Sequence, residues 1–324
     1  MPSWGDILDW VNELKQDHGQ QAYDRAINHY LSRLHDYTEN DIIIYTTDFT
    51  QPSNSGYNQS ITLGDMQGYM EVLSNLDGSK LDLILHSPGG SPEAAEQIIL
   101  YLRDHYDEIR IFVPQAAKSA ATLMCCAADK IIMGSHSSLG PIDPQMQVQT
   151  QFGPRLAPAY AILNQFDQAR EEFRQTGEVG AWGPILTQYG PSLLAECEDA
   201  IDLSEELARQ WLQDYMLNEG DIENNRHEEI AHYLSNRDNF RSHGRPISRS
   251  QVSDLGFNVT ALEDDDELQD RVLSLHHTTS ILMDDTRVSK IISNQLGDRY
   301  ACFAPVEQAP ETPQDQTDSP DDEQ

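Results

Sequence analysis

Apolar residues recur every three or four positions along the beginning of the chain, from Trp4 to Leu34. This spacing matches the 3.6 residues of a helical turn, so it predicts amphipathic helices over residues 1–36, with a break at Gly19. The pattern changes at "DIIIYTTDF", residues 41–49, where consecutive β-branched residues predict a strand.

Helical patterns then alternate with short apolar runs. Helices are predicted at 62–76, 92–106 and 117–128, and the apolar runs beside them are "LDLILH", "EIRIFVP" and "KIIMG". Strand–helix–strand units with short, continuously apolar strands are typical of a parallel sheet that is buried on both faces. The order therefore predicts an α/β fold with repeated β-α-β units and a mostly parallel sheet covered by helices.

The rest of the chain is less regular. Glycine and proline recur through 135–160, which predicts loops, and two more helices are expected within 262–296. From about Ala304 the chain has almost no apolar residues, and this composition predicts disorder. We therefore expect four parts: a helical extension at 1–40, a main domain at 41–260, a C-terminal helical extension at 261–303 and an acidic, disordered tail at 304–324.

The chain is strongly acidic. Its 54 Asp and Glu residues outnumber 21 Lys and Arg residues and give a formal net charge of −33. Such a surface repels phosphate groups, so we expect no nucleic-acid partner.

The sequence shows neither an apolar run of membrane-spanning length nor a signal peptide, and we expect a cytoplasmic protein with no membrane span.

The cysteines and histidines form no recognisable metal motif. The four cysteines make no C-x-x-C pair, and "HEEIAH" at 227–232 spaces its histidines five apart, whereas the zinc motif H-E-x-x-H spaces them four apart. His276 and His277 have no cysteines or acids at ligand spacing. We therefore expect reduced thiols and no metal site.

Two junctions between a strand and a helix are candidates for chemistry. The first, "LHSPGGSPEAAEQI", places Gly89 and Gly90 at the carboxyl end of a strand, where ligands bind in open α/β sheets. It lacks the lysine of a P-loop, so its bare N–H groups fit an oxyanion, although a plain turn would look the same. The second, "VPQAAKSAATLMCCAAD", begins a helix at Ser119 among alanines, and a serine there is also a common helix cap.

Together with the following "MGSHSSLGPID", the two junctions resemble the serine-protease branch of the ClpP/crotonase fold. Their order is similar to that branch's Ser-Pro-Gly-Gly turn, nucleophile helix and entry to the substrate loop, and "RPISRSQVSDLGF" is similar to its later helix. The resemblance covers about residues 40–260. The form "SHSSLGPIDPQ" points to the serine dehydrogenase proteinase group, which is related to signal peptide peptidase A.

This resemblance implies a ClpP/crotonase-like fold and a serine peptidase that cleaves polypeptides through an acyl-enzyme. By position, Ser119 matches the nucleophile, and the N–H groups of Ala120 and of Gly89 or Gly90 match the oxyanion donors. The resemblance also implies that no cofactor is needed and that the protein is a homo-oligomer, a trimer or a hexamer.

The sequence departs from the family at the general base. Signal-peptide-peptidase relatives use a lysine, but ungapped counting places Tyr160 there, and residues 131–289 contain no lysine. At the place of the ClpP histidine this chain has Ile142 and Asp143. A serine hydroxyl needs a base to remove its proton, so another residue must take this role in an active enzyme.

His243 is the first choice for this base, because it abuts Gly244, which matches the ClpP acid, and imidazole titrates near neutral pH. Lys118 is a second candidate, although neighbouring helical residues point about 100° apart. Each candidate would also be an ordinary surface or capping residue. The remaining candidates are two histidines at strand ends and one tyrosine: His86, His136 and Tyr160.

The missing base leaves two other functions open. A catalytically inactive scaffold would bind peptides or organise an assembly and would need no base. A crotonase-like acyl-CoA enzyme would use the same backbone donors on a thioester enolate, but this acidic chain offers few cations for the CoA phosphates.

The charge composition predicts a dependence on salt. Acid-rich, lysine-poor surfaces suit high salt, because screening shortens the range of self-repulsion, and this chain has only five lysines. We therefore expect a halophilic protein whose Tm rises by several degrees between dilute buffer and molar KCl. A melting curve measured against KCl checks this, and an equal Tm in both solutions would identify an ordinary acidic protein.

Overall fold

A computed structural model describes residues 3–50, 58–150, 152–178, 180–217 and 219–305. The disordered tail was expected at 304–324, and its residues 306–324 lie outside the described residues. No helix of the described residues is both long enough and apolar enough to span a bilayer.

Among the described residues, two helices precede the first strand, and the other helices are distributed among the strands. The helices are α1 (Trp4–His18), α2 (Gln21–Thr38), α3 (Asp65–Leu73), α4 (Pro92–His105), α5 (Ala120–Cys126), α6 (Ala159–Thr176), α7 (Gly183–Leu186), α8 (Leu193–Trp211), α9 (Glu219–Glu223), α10 (Arg226–Ser235), α11 (Arg237–Phe240), α12 (Arg249–Leu255) and α13 (Asp266–Asp285). A π-helical turn, Leu212–Met216, continues α8, and a 3₁₀ turn, Leu262–Asp264, precedes α13.

The strands form one large sheet and two small ones. They are β1 (Asp41–Thr47), β2 (Lys80–His86), β3 (Glu108–Val113), β4 (Ala116–Ala117), β5 (Lys130–Met133), β6 (Ser138–Leu139), β7 (Gln145–Thr150), β8 (Gly153–Pro158), β9 (Ile247–Ser248), β10 (Val259–Ala261), β11 (Val288–Asn294) and β12 (Arg299–Phe303). The large sheet has the order β10-β5-β3-β2-β1-β11-β12, and the small ones are β4-β6-β9 and β7-β8.

The large sheet is parallel from β10 to β1 and antiparallel from β1 to β12. In the parallel part, β1 pairs with β2 from Asp41–Leu81 to Thr46–His86. The predicted α/β fold with a mostly parallel sheet covered by helices is confirmed. The parallel strands share one carboxyl edge, so the loops that follow β2, β3 and β5 meet there.

Both faces of the sheet are buried, which explains the continuously apolar strands. Along β1, Ile43 and Tyr45 belong to the apolar core beneath α4 and α5, whereas Ile42 and Ile44 belong to the core beneath α2 and α13. Successive side chains of a strand point to opposite faces, so each strand must be apolar at almost every position. The helices predicted before and after Gly19 are confirmed as α1 and α2.

The prediction of a helical extension at 261–303 is wrong for the end of this segment. It holds a single α-helix, α13, and then β11 and β12, which extend the central sheet beside β1. The pattern was misleading because β11 buries polar residues as well as apolar ones: Asn294, for example, donates from Nδ2 to the Val72 carbonyl at 2.7 Å. Antiparallel pairing with β1 supplies the backbone hydrogen bonds of this strand. The boundaries between the four parts remain predictions.

The segment 135–160 is also more regular than its glycines and prolines indicate. Residues 138–139 form β6, and β7 pairs with β8 in an antiparallel hairpin from Gln145–Pro158 to Thr150–Gly153. The alternation in "QMQVQT" has the period of a half-buried strand, but it is short and is surrounded by turn residues. This hairpin stands beside the carboxyl edge of the sheet and contributes to the site described next.

Candidate active site

Ser119 lies at a sharp turn between β4 and α5. Its φ of 51° and ψ of −121° are a conformation that non-glycine residues rarely adopt. The turn is held from the first junction, because Ser87 N–H donates to the Ala116 carbonyl and Lys118 N–H donates to the Ser87 carbonyl, each at 3.0 Å. Among the described residues, the Ser119 side chain accepts no capping bond from α5, so helix capping does not explain this serine.

Gly89 brings the Ser-Pro-Gly-Gly turn into contact with Ser119. A Cβ atom on Gly89 would lie 2.6 Å from Ser119 Cβ, 2.8 Å from Ala120 N and 2.4 Å from the Lys118 carbonyl oxygen. Its φ of 93° is also in the region that favours glycine. Glycine is therefore required for the two junctions to touch.

Gly90 is packed equally closely against Ile61. A Cβ atom on Gly90 would lie 2.3 Å from the Ile61 carbonyl oxygen. Ile61 N–H donates to the Gly89 carbonyl at 2.7 Å, and Ser91 N–H donates to the Ile61 carbonyl at 3.0 Å. The backbone is thus fixed on both sides of Gly90.

The backbone donors beside Ser119 differ in what they already bind. Gly89 N–H donates to Ser87 Oγ at 3.1 Å. In the described part of the chain, the N–H groups of Gly90 and Ala120 donate to no protein acceptor. Gly90 and Ala120 are therefore the better pair of free donors for an oxyanion.

One cavity of about 740 Å³ at the carboxyl edge of the sheet is lined by Gly89, Gly90, Ser119 and Ala120. The hairpin β7–β8 and helix α8 form the opposite wall. A cavity of this volume accommodates several side chains of a peptide. Its apolar lining includes Leu123, Ile142, Met146 and Leu156, and its charged lining includes Glu93, Glu196 and Asp199.

His243 also lines this cavity and is paired with Asp143. Its Nδ1 atom lies 2.7 Å from Asp143 Oδ1, and the Asp143 side chain is only 2% exposed. Gln145 Nε2 donates to the other oxygen of Asp143 at 3.0 Å. A carboxylate accepts the Nδ1 proton, which leaves His243 Nε2 with a free lone pair.

Among the described residues, no hydrogen bond joins His243 to Ser119. Such bonds often form only when substrate binds, so the lack of one in the free protein is compatible with a base at His243. Asp143 is the residue that the sequence interpretation missed. Asp143 lies at the position that matches the ClpP histidine. His243 lies next to Gly244, the position that matches the ClpP acid. The position of Asp143 was the only signal, because one more acid is inconspicuous in a chain with 54 of them.

The candidate bases Lys118 and Tyr160 are engaged elsewhere. Lys118 Nζ donates to Ser138 Oγ at 2.8 Å and to the Leu139 carbonyl at 2.7 Å, and burial lowers its pKa to about 8. Tyr160 lies at the start of α6 and packs in a separate apolar cluster, where burial raises the pKa of its phenol.

The candidate bases His86 and His136 do not line this cavity, and both lie near His276 of helix α13. His86 is buried, its Nδ1 accepts from Ala116 N–H at 3.3 Å, and its ring centroid is 4.9 Å from that of His276. His136 lines a second cavity, of about 410 Å³, together with His276 and His277. No group of three or more His, Cys, Asp or Glu side chains in the described ranges is arranged to hold a metal ion.

Residues 61–172 match the family model of the ClpP-like SDH-type serine proteinases. The match contains the glycine turn, Ser119 and Asp143, and it confirms the resemblance to this family. His243 lies outside the matched segment.

Two relatives come from Methanocaldococcus jannaschii, the uncharacterized proteins MJ0137 and MJ1495. The first is 44% identical over 87 residues, which are 26% of this chain and 30% of that protein. The second is 31% identical over 200 residues, which are 61% of this chain and 59% of that protein. The chain therefore spans less than two thirds of the length of either relative.

Two solved structures are also similar, both of alanine mutants of the 1510-N membrane-bound stomatin-specific protease. One has a TM-score of 0.38 at 16% identity and covers 65% of this chain and 79% of that chain. The other, in complex with a substrate peptide, has a TM-score of 0.39 at 17% identity and covers 64% and 74%.

The burial of His86 predicts a loss of stability in acid. Burial lowers its pKa from 6.5 to about 4. Below pH 6.5 the unfolded chain therefore binds more protons than the folded chain, so this group's contribution to stability falls as the pH falls toward 4. Between pH 7 and pH 5, we expect His86 to account for about 2 kcal/mol of the loss in unfolding free energy.

Urea unfolding of wild type and His86→Leu at both pH values measures this contribution. The loss on acidification should be smaller in His86→Leu, whereas substitution of the exposed His105 by leucine should leave it unchanged. Identical losses in wild type and His86→Leu would show that His86 is not held neutral by burial.

Proposed function

From the match of residues 61–172 to a serine proteinase family, we propose that this protein is an endopeptidase that cleaves polypeptides through an acyl-enzyme on Ser119. One observation carries the proposal: Ser119, two free backbone donors and a histidine paired with a buried carboxylate line the same cavity. Acyl transfer requires a nucleophile, a base and an oxyanion site together, and other chemistry rarely requires all three.

In the proposed first step, His243 Nε2 takes the proton of Ser119 Oγ while Oγ attacks the peptide carbonyl carbon. The carbonyl oxygen becomes an oxyanion and accepts hydrogen bonds from the N–H groups of Gly90 and Ala120. Asp143 stays ionised, keeps the imidazole in the required tautomer and stabilises the imidazolium that forms.

In the following steps, the imidazolium returns its proton to the leaving amine, the C–N bond breaks and an ester on Ser119 remains. Water then enters, and His243 takes one of its protons as the water oxygen attacks the ester. The C–O bond to Ser119 breaks, the imidazolium returns the proton to Ser119 Oγ, and the acid is released. The chain's own side chains supply every proton transfer, so this route uses no cofactor.

The cavity favours a peptide substrate over the two other functions. A non-catalytic scaffold has no use for a histidine that is paired with the buried Asp143 and lines the same cavity as Ser119. An acyl-CoA enzyme needs cations for phosphate groups, whereas the charged lining described here includes Glu93, Glu196 and Asp199. An extended polypeptide as substrate, assembly as a homo-oligomer, a cytoplasmic location and a preference for salt remain predictions.

A fluorophosphonate probe tests the nucleophile. We expect the probe to label wild type and not Ser119→Ala, because it reacts with a serine whose hydroxyl is activated. Ser74→Ala, which removes an exposed hydroxyl, is the matched control and should be labelled like wild type. Equal labelling of Ser119→Ala would refute the assignment, and an unlabelled wild type that leaves casein intact in molar KCl would favour the scaffold.

Substitutions at the pair test the base. His243→Ala should lower kcat by about a hundredfold or more, because general base catalysis contributes on this scale. Asp143→Asn should lower kcat as well, since an amide no longer holds the imidazole in the required tautomer. The pH–rate profile of His243→Ala should also lose the limb that reports the base.

Lys118→Met provides the comparison for these variants. If His243 is the base, this variant should keep kcat within about threefold of wild type, since general base catalysis contributes a hundredfold or more. Full activity in His243→Ala, together with an inactive Lys118→Met, would move the role of base to Lys118.

A further inference from the structure

We infer that the buried ion pair of Lys290 and Asp65 positions the oxyanion hole. The pair fixes the segment 60–62, and this segment in turn fixes Gly90. The inference rests on the proposed function, because it needs the Gly90 N–H group to be an oxyanion donor.

The pair is fully enclosed in the core. Lys290 Nζ, on strand β11, lies 2.6 Å from Asp65 Oδ1, at the start of α3, and the two side chains are 1% and 2% exposed. Tyr45 OH donates to the second oxygen of Asp65 at 2.9 Å. Removing two charges from water costs more than their attraction returns unless further hydrogen bonds satisfy them, so the additional partners of the pair matter.

Those partners lie on both sides of Ile61. Lys290 Nζ donates to the Ser60 carbonyl at 2.8 Å, and Asp65 Oδ2 accepts from Thr62 N–H at 3.0 Å. Each member of the pair therefore holds the backbone at one neighbour of Ile61. Breaking the pair would release this short segment at both ends.

Ile61 transmits this restraint to the glycine turn. Its N–H and carbonyl groups bond to Gly89 and Ser91, the residues on either side of Gly90. The contact is so close that a Cβ atom on Gly90 would lie 2.3 Å from the Ile61 carbonyl oxygen. A displacement of Ile61 must therefore displace the Gly90 peptide, and an oxyanion donor works only if its distance to the developing charge is preset.

Core stability does not account for the pair. Well-packed apolar residues often stabilise a core as well as a buried ion pair or better. Lys290 is one of only five lysines in the chain, and it belongs to a strand outside the segment 61–172 that matches the family. The C-terminal strand β11 thus provides a cation that orders the backbone next to the proposed site.

The test compares a tetrahedral adduct with ordinary substrate binding. A peptide aldehyde forms an oxyanion on the serine, so its inhibition constant depends on the oxyanion donors, whereas the KM of the same peptide sequence depends on them weakly. In Lys290→Met we expect the inhibition constant to rise about tenfold or more and KM to change less than twofold. Asp65→Asn should shift the inhibition constant in the same direction.

Arg110→Met is the matched control. It breaks another ion pair, in which Arg110 on β3 lies 2.6 Å from Asp82, a fully buried residue of β2. That pair lies toward the amino ends of the strands, away from the glycine turn. Arg110→Met should therefore lower Tm without changing the ratio of inhibition constant to KM. Both constants refer to folded enzyme, so partial unfolding does not change this ratio.

Two results would overturn the inference. The first is a ratio of inhibition constant to KM that stays unchanged in both Lys290→Met and Asp65→Asn. The second is a change of this ratio in Arg110→Met that is as large as the change in Lys290→Met. If Lys290→Met does not fold, Asp65→Asn decides, because its single amide oxygen cannot replace both the oxygen that binds Lys290 and the oxygen that accepts from Thr62 N–H. The proposed function fails separately, when wild type is neither labelled by the fluorophosphonate nor inhibited by the aldehyde.

Discussion

The contact between Gly89 and Ser119 is the constraint on which the rest of the site depends. The backbone of one strand-to-helix junction touches the side chain of the other, at a distance that leaves no room for a Cβ atom on Gly89. This contact exists because β2 and β3 are parallel neighbours, so the loops that follow them leave the sheet at the same edge. The sheet thereby fixes where the proposed nucleophile and its proposed oxyanion donors meet.

The site adds long-range polar pairs to this local contact. Asp143 and His243 are a hundred residues apart in the chain, yet they pair at the cavity wall. Lys290 and Asp65 are separated by more than two hundred residues, and they hold the segment that packs on Gly90. In both pairs one residue comes from the segment 61–172 and the other from a later part of the chain. The later elements thus complete the proposed site.

The sequence could predict features that depend on residues close together in the chain, but not those that depend on residues far apart. The period of apolar residues predicted the helices and the parallel strands, because burial on two faces leaves a local pattern. The glycine turn and Ser119 could be proposed through the family resemblance, since each junction is a short, distinctive segment. Asp143 and Lys290 could not be assigned in this way, because their partners lie far away in the chain. Strand β11 was missed because its buried polar residues hide the strand pattern.

The central claim is that Ser119, His243, Gly90 and Ala120 act on one carbonyl group. A crystal structure of the adduct between Ser119 and a peptide aldehyde tests it most directly. We predict that the adduct oxygen lies about 2.7–3.1 Å from the N–H nitrogens of Gly90 and Ala120, and that His243 Nε2 lies within about 3.2 Å of Ser119 Oγ. An adduct oxygen directed away from Gly90, or Lys118 Nζ beside Ser119 Oγ in place of His243, would contradict the claim.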